Sequence, residues 1–171
     1  MPSADTFDCP HIEGFVRKYL AQSKVSVDPF ARNKPWATHT NDLNPNTMAK
    51  SHLDAEAFLI GLASNGVKAD LILFDPPYSP RQISECYKEA GLKVTMQDTQ
   101  NAALYKRVRD AAMPILDVGG IVLSFGWNTC GMGTKRGFEP LEVLIVDHGG
   151  AHNSTLCLAE RRLPILQQNL I

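Results

Sequence analysis

The chain has 171 residues, enough for one domain of ordinary size and too few for two. Hydrophobic residues make up 44% of it and charged residues 20%, which excludes collagenous, low-complexity and intrinsically disordered chains. Seventeen Lys and Arg against eighteen Asp and Glu give a formal net charge of −1. That balance excludes a uniformly basic coat for nucleic acid but leaves room for a local basic patch.

The sequence shows neither a recognisable targeting signal nor a closely spaced cysteine pair. No apolar run approaches the roughly 18 residues of a membrane-spanning helix, and the first residues lack the basic and apolar regions of a signal peptide. A cytoplasmic location is therefore expected. The cysteines include no C-x-x-C pair, which favours reduced thiols and predicts no metal site; they are Cys9, Cys86, Cys130 and Cys157.

Helical and strand-like patterns alternate along the first half of the chain. Apolar residues at helical spacing predict a helix over 12–20, and buried strands are predicted at 25–27, ending at Asp28, and at 37–43. Asp54 is placed to cap a second helix. This alternation predicts an α/β domain with a mostly parallel sheet.

The second half continues the alternation. Leu71–Phe74 is a continuous apolar run, as expected for a central strand that is covered on both faces. Ser79, Pro80 and Gln82 form a helix start in which Gln82 would close a capping box. The remaining patterns predict a helix at 104–115, a strand at 121–125, a glycine-rich surface loop at 126–137 and an antiparallel hairpin of 141–147 and 154–160.

The tetrapeptide Asp75-Pro76-Pro77-Tyr78 follows the central strand, at the edge of a parallel sheet where ligands of such folds bind. Asp75 offers a carboxylate, and the prolines offer carbonyl oxygens but no N–H. Such a site accepts hydrogen bonds from an exocyclic amino group of adenine or cytosine, and Tyr78 adds a flat face for stacking.

This arrangement also has a chemical use. An aryl amine is a poor nucleophile because its lone pair is delocalised into the ring. If Asp75 and the Pro76 carbonyl each accept one amino hydrogen, the nitrogen moves toward tetrahedral geometry and its lone pair can be aimed at an electrophilic methyl group. Catalysis would then come from orientation and from acceptors matched to the developing charge.

Four segments in this order resemble the motifs of S-adenosylmethionine-dependent amino-methyltransferases, and most closely those of small bacteriophage-type DNA adenine methyltransferases. Asp28-Pro29-Phe30-Ala31 resembles the first cofactor motif, and the acidic segment 41–45 resembles the site after the second strand. Asp54-Ala55 resembles the third cofactor site. The catalytic tetrapeptide, residues 75–78, matches without substitution.

The resemblance implies a Rossmann-like class I methyltransferase fold, with a mostly parallel seven-stranded sheet and an antiparallel C-terminal hairpin. It implies a single domain over 1–171 without a separate target-recognition domain, a cytoplasmic location in a bacterial or phage-infected cell, and S-adenosylmethionine as cofactor. The cofactor-binding residues would be Asp28, Pro29, Phe30, Ala31, Asp42, Leu43, Asp54 and Ala55, and the catalytic residues Asp75, Pro76, Pro77 and Tyr78.

One departure from the family pattern concerns the first motif. The family usually continues it as a glycine-rich turn, whereas this chain continues with the glycine-free segment 32–36. Either the loop takes another path and Arg32 or Lys34 holds the cofactor's carboxylate, or cofactor binding is weakened.

DNA is the expected partner, with its target base flipped or unpaired. Sequence reading would fall to short loops or to a second subunit, so a homodimer is left open. Five basic residues are candidates for phosphate contacts: Arg32, Lys34, Arg81, Lys135 and Arg136. Arg81 is favoured because it adjoins the tetrapeptide at 75–78, and the Lys135-Arg136 pair because its loop is expected near the carboxyl end of the sheet.

Two alternatives stay open. An enzyme of the same fold acting on RNA would use a related tetrapeptide but usually keeps a glycine-rich first motif. A degenerate, non-catalytic module that binds nucleic acid or a partner would explain the missing glycines but not the intact tetrapeptide at 75–78.

Overall fold

Four helices and six strands make up the regular structure of the chain in a computed structural model that describes residues 5–92, 101–128, 131–150 and 153–164. The helices are α1 (Pro10–Leu20), α2 (Ala55–Ser64), α3 (Pro80–Glu89) and α4 (Asn101–Ala112). The strands are β1 (Ser26–Asp28), β2 (His39–Thr40), β3 (Ala69–Phe74), β4 (Leu116–Gly126), β5 (Phe138–Val146) and β6 (Thr155–Arg162).

The strands form one sheet in the order β2-β1-β3-β4-β6-β5. The first four strands of this order are parallel, whereas β6 is antiparallel to both β4 and β5. The predicted α/β class, the mostly parallel sheet and the closing antiparallel hairpin are therefore confirmed. The predicted count of seven strands is corrected to six for the part of the chain that the structure describes.

Each face of the sheet is covered by helices and has its own core. On one face, α1 buries Ile12 and Val16 against Leu73 and Leu123, and Phe7 from the segment before α1 joins the same cluster. On the other face, α2, α3 and α4 cover the sheet, with Leu59, Ile83 and Val108 packing around Ile72. The central strand β3 is thus covered on both sides, as its continuous apolar sequence predicts.

Element boundaries differ most from the predictions at two strands, β2 and β4. β2 has two residues instead of seven, and Asn41 pairs beyond it with Ser51 as an isolated bridge. β4 begins at Leu116 rather than after the double glycine, because the strand interrupts its pairing with β3 and resumes it at Ile121. Gly119 has a φ of +83°, which allows this irregular step.

The described residues also bear on two simpler predictions. Cys9, Cys86 and Cys157 are free thiols, while Cys130 lies outside the described residues. No helix in the described ranges is both long enough and apolar enough to cross a membrane.

Gly131→Ala is expected to destabilise the fold by about 1–3 kcal/mol through overpacking. Buried Glu160 accepts hydrogen bonds from the N–H groups of Met132 and Gly133, at 2.6 and 2.9 Å, and so holds the loop after β4. A Cβ at Gly131 would lie 1.9 Å from the Glu160 carboxylate. Chemical denaturation measures the loss. Gly14→Ala in α1, where a Cβ meets open space, should be neutral or stabilising, and equal effects of both changes would contradict the packing argument.

Candidate active site

The carboxyl ends of the parallel strands open into a cleft of about 580 Å³. Asp28 is the last residue of β1, Asp42 follows β2 by two residues, Asp75 follows β3 directly, and Trp127 follows β4 directly. Because these strands run in the same direction, their carboxyl ends lie at one edge of the sheet. Asp42, Asp75 and Trp127 line the cleft, and Asp28 is buried beside it.

The tetrapeptide Asp75-Pro76-Pro77-Tyr78 is held by contacts from α3 and from α4. Ser79 caps α3 by accepting a hydrogen bond from the Gln82 N–H at 3.2 Å, as predicted. Gln82 does not close the predicted capping box on Ser79, because its Oε1 accepts from the N–H of Tyr78 instead, at 2.6 Å. From α4, the Tyr105 hydroxyl donates to the Pro77 carbonyl at 3.0 Å. The turn is therefore fixed independently of any ligand.

The Asp75 carboxyl is held in place but has little positive charge around it. The Tyr78 hydroxyl donates to Asp75 Oδ1, and Thr6 Oγ1 lies 3.2 Å from the same hydroxyl. Burial raises the pKa of Asp75 to about 6, although the hydrogen bonds from Tyr78 and Thr6 and the charge of Arg32 act in the opposite direction. Burial next to Asp75 also raises the pKa of Tyr78 well above its usual range.

Tyr78→Phe should move the acidic limb of the pH–rate profile to higher pH. The rate of the methyl transfer that the sequence predicts should rise with pH through about 6 as Asp75 ionises. Removing the hydroxyl that stabilises the ionised carboxylate should raise that midpoint by about 1 pH unit. The measurement is kcat/KM from about pH 5 to about pH 9, which covers both sides of the expected midpoint. Tyr19→Phe, which removes a hydroxyl that donates to Glu142 outside the cleft, is the matched control. An unshifted Tyr78→Phe profile would contradict the role given to Asp75.

Two further carboxyl groups lie at this edge of the sheet, and Asp28 interacts with both Asp75 and Asp42. Asp28 is fully buried, and its Oδ1 accepts from the Phe30 N–H at 2.9 Å while its Oδ2 has no hydrogen-bond partner among the described residues. Burial, together with the charges of Asp75 and Asp42, raises the pKa of Asp28 well above its usual range. Burial also raises the pKa of Asp42. A cationic ligand would relieve this surplus of acidic groups.

The glycine-free loop after β1 still makes a turn of the kind that glycine favours. Arg32 has a φ of +44°, the left-handed conformation that non-glycine residues rarely adopt. Its N–H donates to Asp42 Oδ2 at 3.1 Å, and the Ala31 N–H donates to the Asn41 carbonyl at 2.8 Å. The loop is thus tied to the acidic segment after β2, and backbone strain is retained at the cleft.

A segment without a distinctive sequence pattern forms one wall of the cleft. Residues 5–8, here called the N-terminal strap, are anchored by Phe7, whose ring lies 5.7 Å from Trp36 and 5.0 Å from Phe125. Asp5 forms an ion pair with Arg32 and Asp8 one with Lys34, both at 2.7 Å. The strap therefore joins the loop after β1 to the tetrapeptide at 75–78.

The structure brings some of the predicted cofactor residues to the cleft and leaves others away from it. Phe30 and Asp42 line the cleft, whereas Pro29 and Ala31 are buried. Asp54 caps α2 by accepting from the N–H groups of its second and third residues, as its predicted capping role requires. Leu43, Asp54 and Ala55 are outside the described lining of the cleft.

The candidate phosphate contacts are mostly engaged with acidic side chains. Arg32 and Lys34 pair with the strap, and Arg81, which is highly exposed on α3, pairs with Glu85 at 2.8 Å. Arg136 pairs with Asp110 at 2.9 Å. Because each of these four side chains forms an ion pair, none of them presents a preformed phosphate site.

The prediction that Lys135 and Arg136 lie near the carboxyl end of the sheet is wrong. Only Gly137 separates them from β5, whose first residue, Phe138, pairs with Arg162 of β6. Arg161, one residue earlier, pairs with Ile121 in the first half of β4. This basic pair therefore lies toward the edge of the sheet opposite the cleft.

No protein-family model and no curated protein matches the chain. Several solved structures match it in fold. SMU.776, assigned as a methyltransferase and complexed with SAH, matches with a TM-score of 0.59 at 11% identity, over 86% of this chain and 48% of its own. The M. jannaschii tRNA m1G37 methyltransferase matches with a TM-score of 0.50 at 17% identity, over 91% and 50%. N-methyltransferase NodS from Bradyrhizobium japonicum WM9 matches with a TM-score of 0.54 at 12% identity, over 92% and 99%.

These likenesses establish the fold. The sheet order, the antiparallel hairpin and the structural neighbours together give the chain the Rossmann-like fold of class I methyltransferases. The chain spans about half the length of SMU.776 and of the tRNA methyltransferase. Fold does not determine activity, so activity has to be argued from the cleft.

Proposed function

We propose that the protein is an S-adenosylmethionine-dependent methyltransferase that methylates the exocyclic amino group of adenine in DNA. The observation that carries the proposal is the position of Asp75-Pro76-Pro77-Tyr78 at the carboxyl end of β3, inside the cleft and beside Asp42. A neighbour of the same fold carries SAH, which supports the choice of cofactor.

The acidic groups of the cleft fit this cofactor. When bound, S-adenosylmethionine supplies an electrophilic methyl group on a positively charged sulfur, and it also carries an ammonium group. Asp28 has a buried oxygen without a partner, and the pKa values of Asp28, Asp42 and Asp75 are all raised by burial. Asp42 is the residue expected to accept from the ribose hydroxyls, because a carboxylate can accept from two donors.

The roles of the catalytic residues follow from their chemistry. Asp75 and the Pro76 carbonyl accept the two amino hydrogens, which orients the nitrogen lone pair. The N–C bond would form as the methyl–sulfur bond of the cofactor breaks, with SAH as the leaving group. The positive charge passes to the nitrogen beside the Asp75 carboxylate, and one amino proton is then lost through that carboxylate to water. Tyr78 and Trp127, with ring centroids 5.7 Å apart, offer flat surfaces to an uncharged base.

An RNA substrate is the second candidate. It is favoured by the likeness to the M. jannaschii tRNA m1G37 methyltransferase, whereas the unsubstituted tetrapeptide at 75–78 favours DNA adenine. The homodimer and the contacts of Arg81 with phosphate stay predictions. A degenerate binding module is the third candidate, and the ordered contacts of Asp75 speak against it.

The test is incubation of the protein with methyl-labelled S-adenosylmethionine and either DNA or ribosomal RNA, followed by digestion to nucleosides. The proposal expects label in N6-methyladenine from DNA. Label in RNA alone would favour the second candidate, and label on cytosine would move the assignment to another base. Absence of transfer together with absence of SAH binding in calorimetry would favour the binding module.

A further inference from the structure

Carboxyl groups predominate among the charged side chains described in the lining of the cleft. Of the Lys and Arg residues in the described part of the chain, only Arg32 lines the cleft. A ligand that carries a carboxylate would be repelled by most of the surface and attracted at one place. The acidic side chains of the lining are Asp5, Asp8, Asp42, Asp75, Glu85 and Glu89.

Arg32 is held in position through both its backbone and its side chain. The backbone adopts a φ of +44° and donates its N–H to Asp42. The side chain, about one third exposed, pairs through Nε with Asp5 at 2.7 Å. A guanidinium has five N–H donors, so a contact at Nε leaves the terminal nitrogens with enough donors for a second carboxylate.

Asp5 is a well-anchored partner rather than a loose surface charge. Its side chain is 16% exposed, and the strap that carries it is fixed by Phe7 in the core and by Thr6 at the Tyr78 hydroxyl. An Arg with one side fixed by a carboxylate loses less conformational freedom when it binds a second one.

We propose that Arg32 is the receptor for the α-carboxylate of an amino-acid-bearing nucleoside, and that Asp5 is the positioning residue that orients it. The inference rests on the proposed function and deepens it. This role would explain why Arg32 keeps a strained, positive φ where the family usually has glycine. The strain is tolerated because the Arg32 side chain binds the amino-acid portion of the ligand.

The experiment is isothermal titration calorimetry with two ligands, SAH and 5′-methylthioadenosine, which lacks the amino-acid portion. Arg32→Gly is the main variant because it removes the side chain and relieves the positive φ, which offsets part of the stability lost with the ion pair to Asp5. It should weaken SAH binding by about 10- to 100-fold and 5′-methylthioadenosine binding by less than about threefold.

Two more variants separate the role of Arg32 from that of Asp5. Arg32→Lys keeps the charge but not the planar fork, and it should weaken SAH alone by several-fold. Asp5→Asn should weaken SAH by about three- to tenfold in the wild type and have no further effect together with Arg32→Gly. Arg161→Ala, which breaks an exposed ion pair with Glu139 away from the cleft, should change neither affinity.

The three ways in which the experiment can fail are distinguishable. If Arg32→Gly weakens both ligands equally, or neither, Arg32 is not a carboxylate receptor, while the methyltransferase proposal stands because SAH still binds the wild type. If Asp5→Asn tightens SAH binding, Asp5 competes with the ligand and its positioning role is overturned. If wild-type protein binds neither ligand, the proposed function itself fails, and the inference fails with it.

Discussion

Asp75→Asn is expected to slow methyl transfer by at least about 10²-fold while SAH affinity stays within about threefold of wild type. The amide keeps the shape of the side chain but removes the negative charge that faces the reacting nitrogen. Single-turnover rates and calorimetry with SAH measure the two quantities. Asp117→Asn, at an exposed position of β4, is the matched control and should affect neither. Full transfer activity in Asp75→Asn would remove Asp75 from the mechanism.

The same substitution should stabilise the fold at neutral pH. Burial raises the Asp75 pKa from its ordinary value of 3.8 to about 6, so the folded protein holds this proton more tightly than the unfolded chain does. The wild type therefore loses stability as pH rises from about 4 through about 6. With one pKa unit corresponding to about 1.4 kcal/mol, the gain from Asn should reach about 1–3 kcal/mol at pH 8 and vanish near pH 4. Urea denaturation at both pH values checks the sign, and a gain confined to low pH would contradict it.

Phe7→Ala should lower the free energy of unfolding by about 3–5 kcal/mol. Phe7 is 4% exposed and packs between Trp36 and Phe125, so its removal leaves a cavity in the core under α1. It should also release the N-terminal strap, which would then be cleaved faster in limited proteolysis. Denaturation and proteolysis measure the two effects.

Ile60→Ala provides the control for Phe7→Ala. Ile60 is 52% exposed on α2, and alanine is the better helix former, so the change should alter stability by less than about 0.5 kcal/mol. If Phe7→Ala were equally mild, the strap would not be an integral part of the core.

Local patterns predicted most of the elements. The apolar run 71–74, the caps at Asp54 and Ser79, and the helical spacing in α1 each depend on residues close in sequence, and the structure has all of them. The edge on which Asp42 and Asp75 meet could be predicted because parallel strands align their carboxyl ends.

The errors came from long-range pairing. The sequence of the glycine-rich loop does not reveal that Phe138 pairs with Arg162, and this register places Lys135 and Arg136 at the opposite edge of the sheet. The position of the strap could not be predicted either, because residues 5–8 have no periodic pattern. Their contacts with Arg32, Lys34 and Tyr78 join positions that are far apart in the chain.

The acidic cleft is also hidden in the overall composition. The net charge of the chain is −1, yet the described lining of the cleft has several carboxyl groups and one arginine. Such a surface suits a cationic cofactor and an uncharged base, and it disfavours phosphate inside the cleft. Phosphate contacts of a nucleic-acid substrate are therefore expected outside it, on its rim or beyond.

The most direct test of the central claim is nucleoside mass spectrometry, with base-modification sequencing, on DNA and RNA from cells that express the wild type or Asp75→Asn. The proposed function predicts N6-methyladenine in DNA from wild-type cells, in a defined sequence context, and none above background with Asp75→Asn. Methylated bases confined to RNA, or equal N6-methyladenine in both strains, would contradict it.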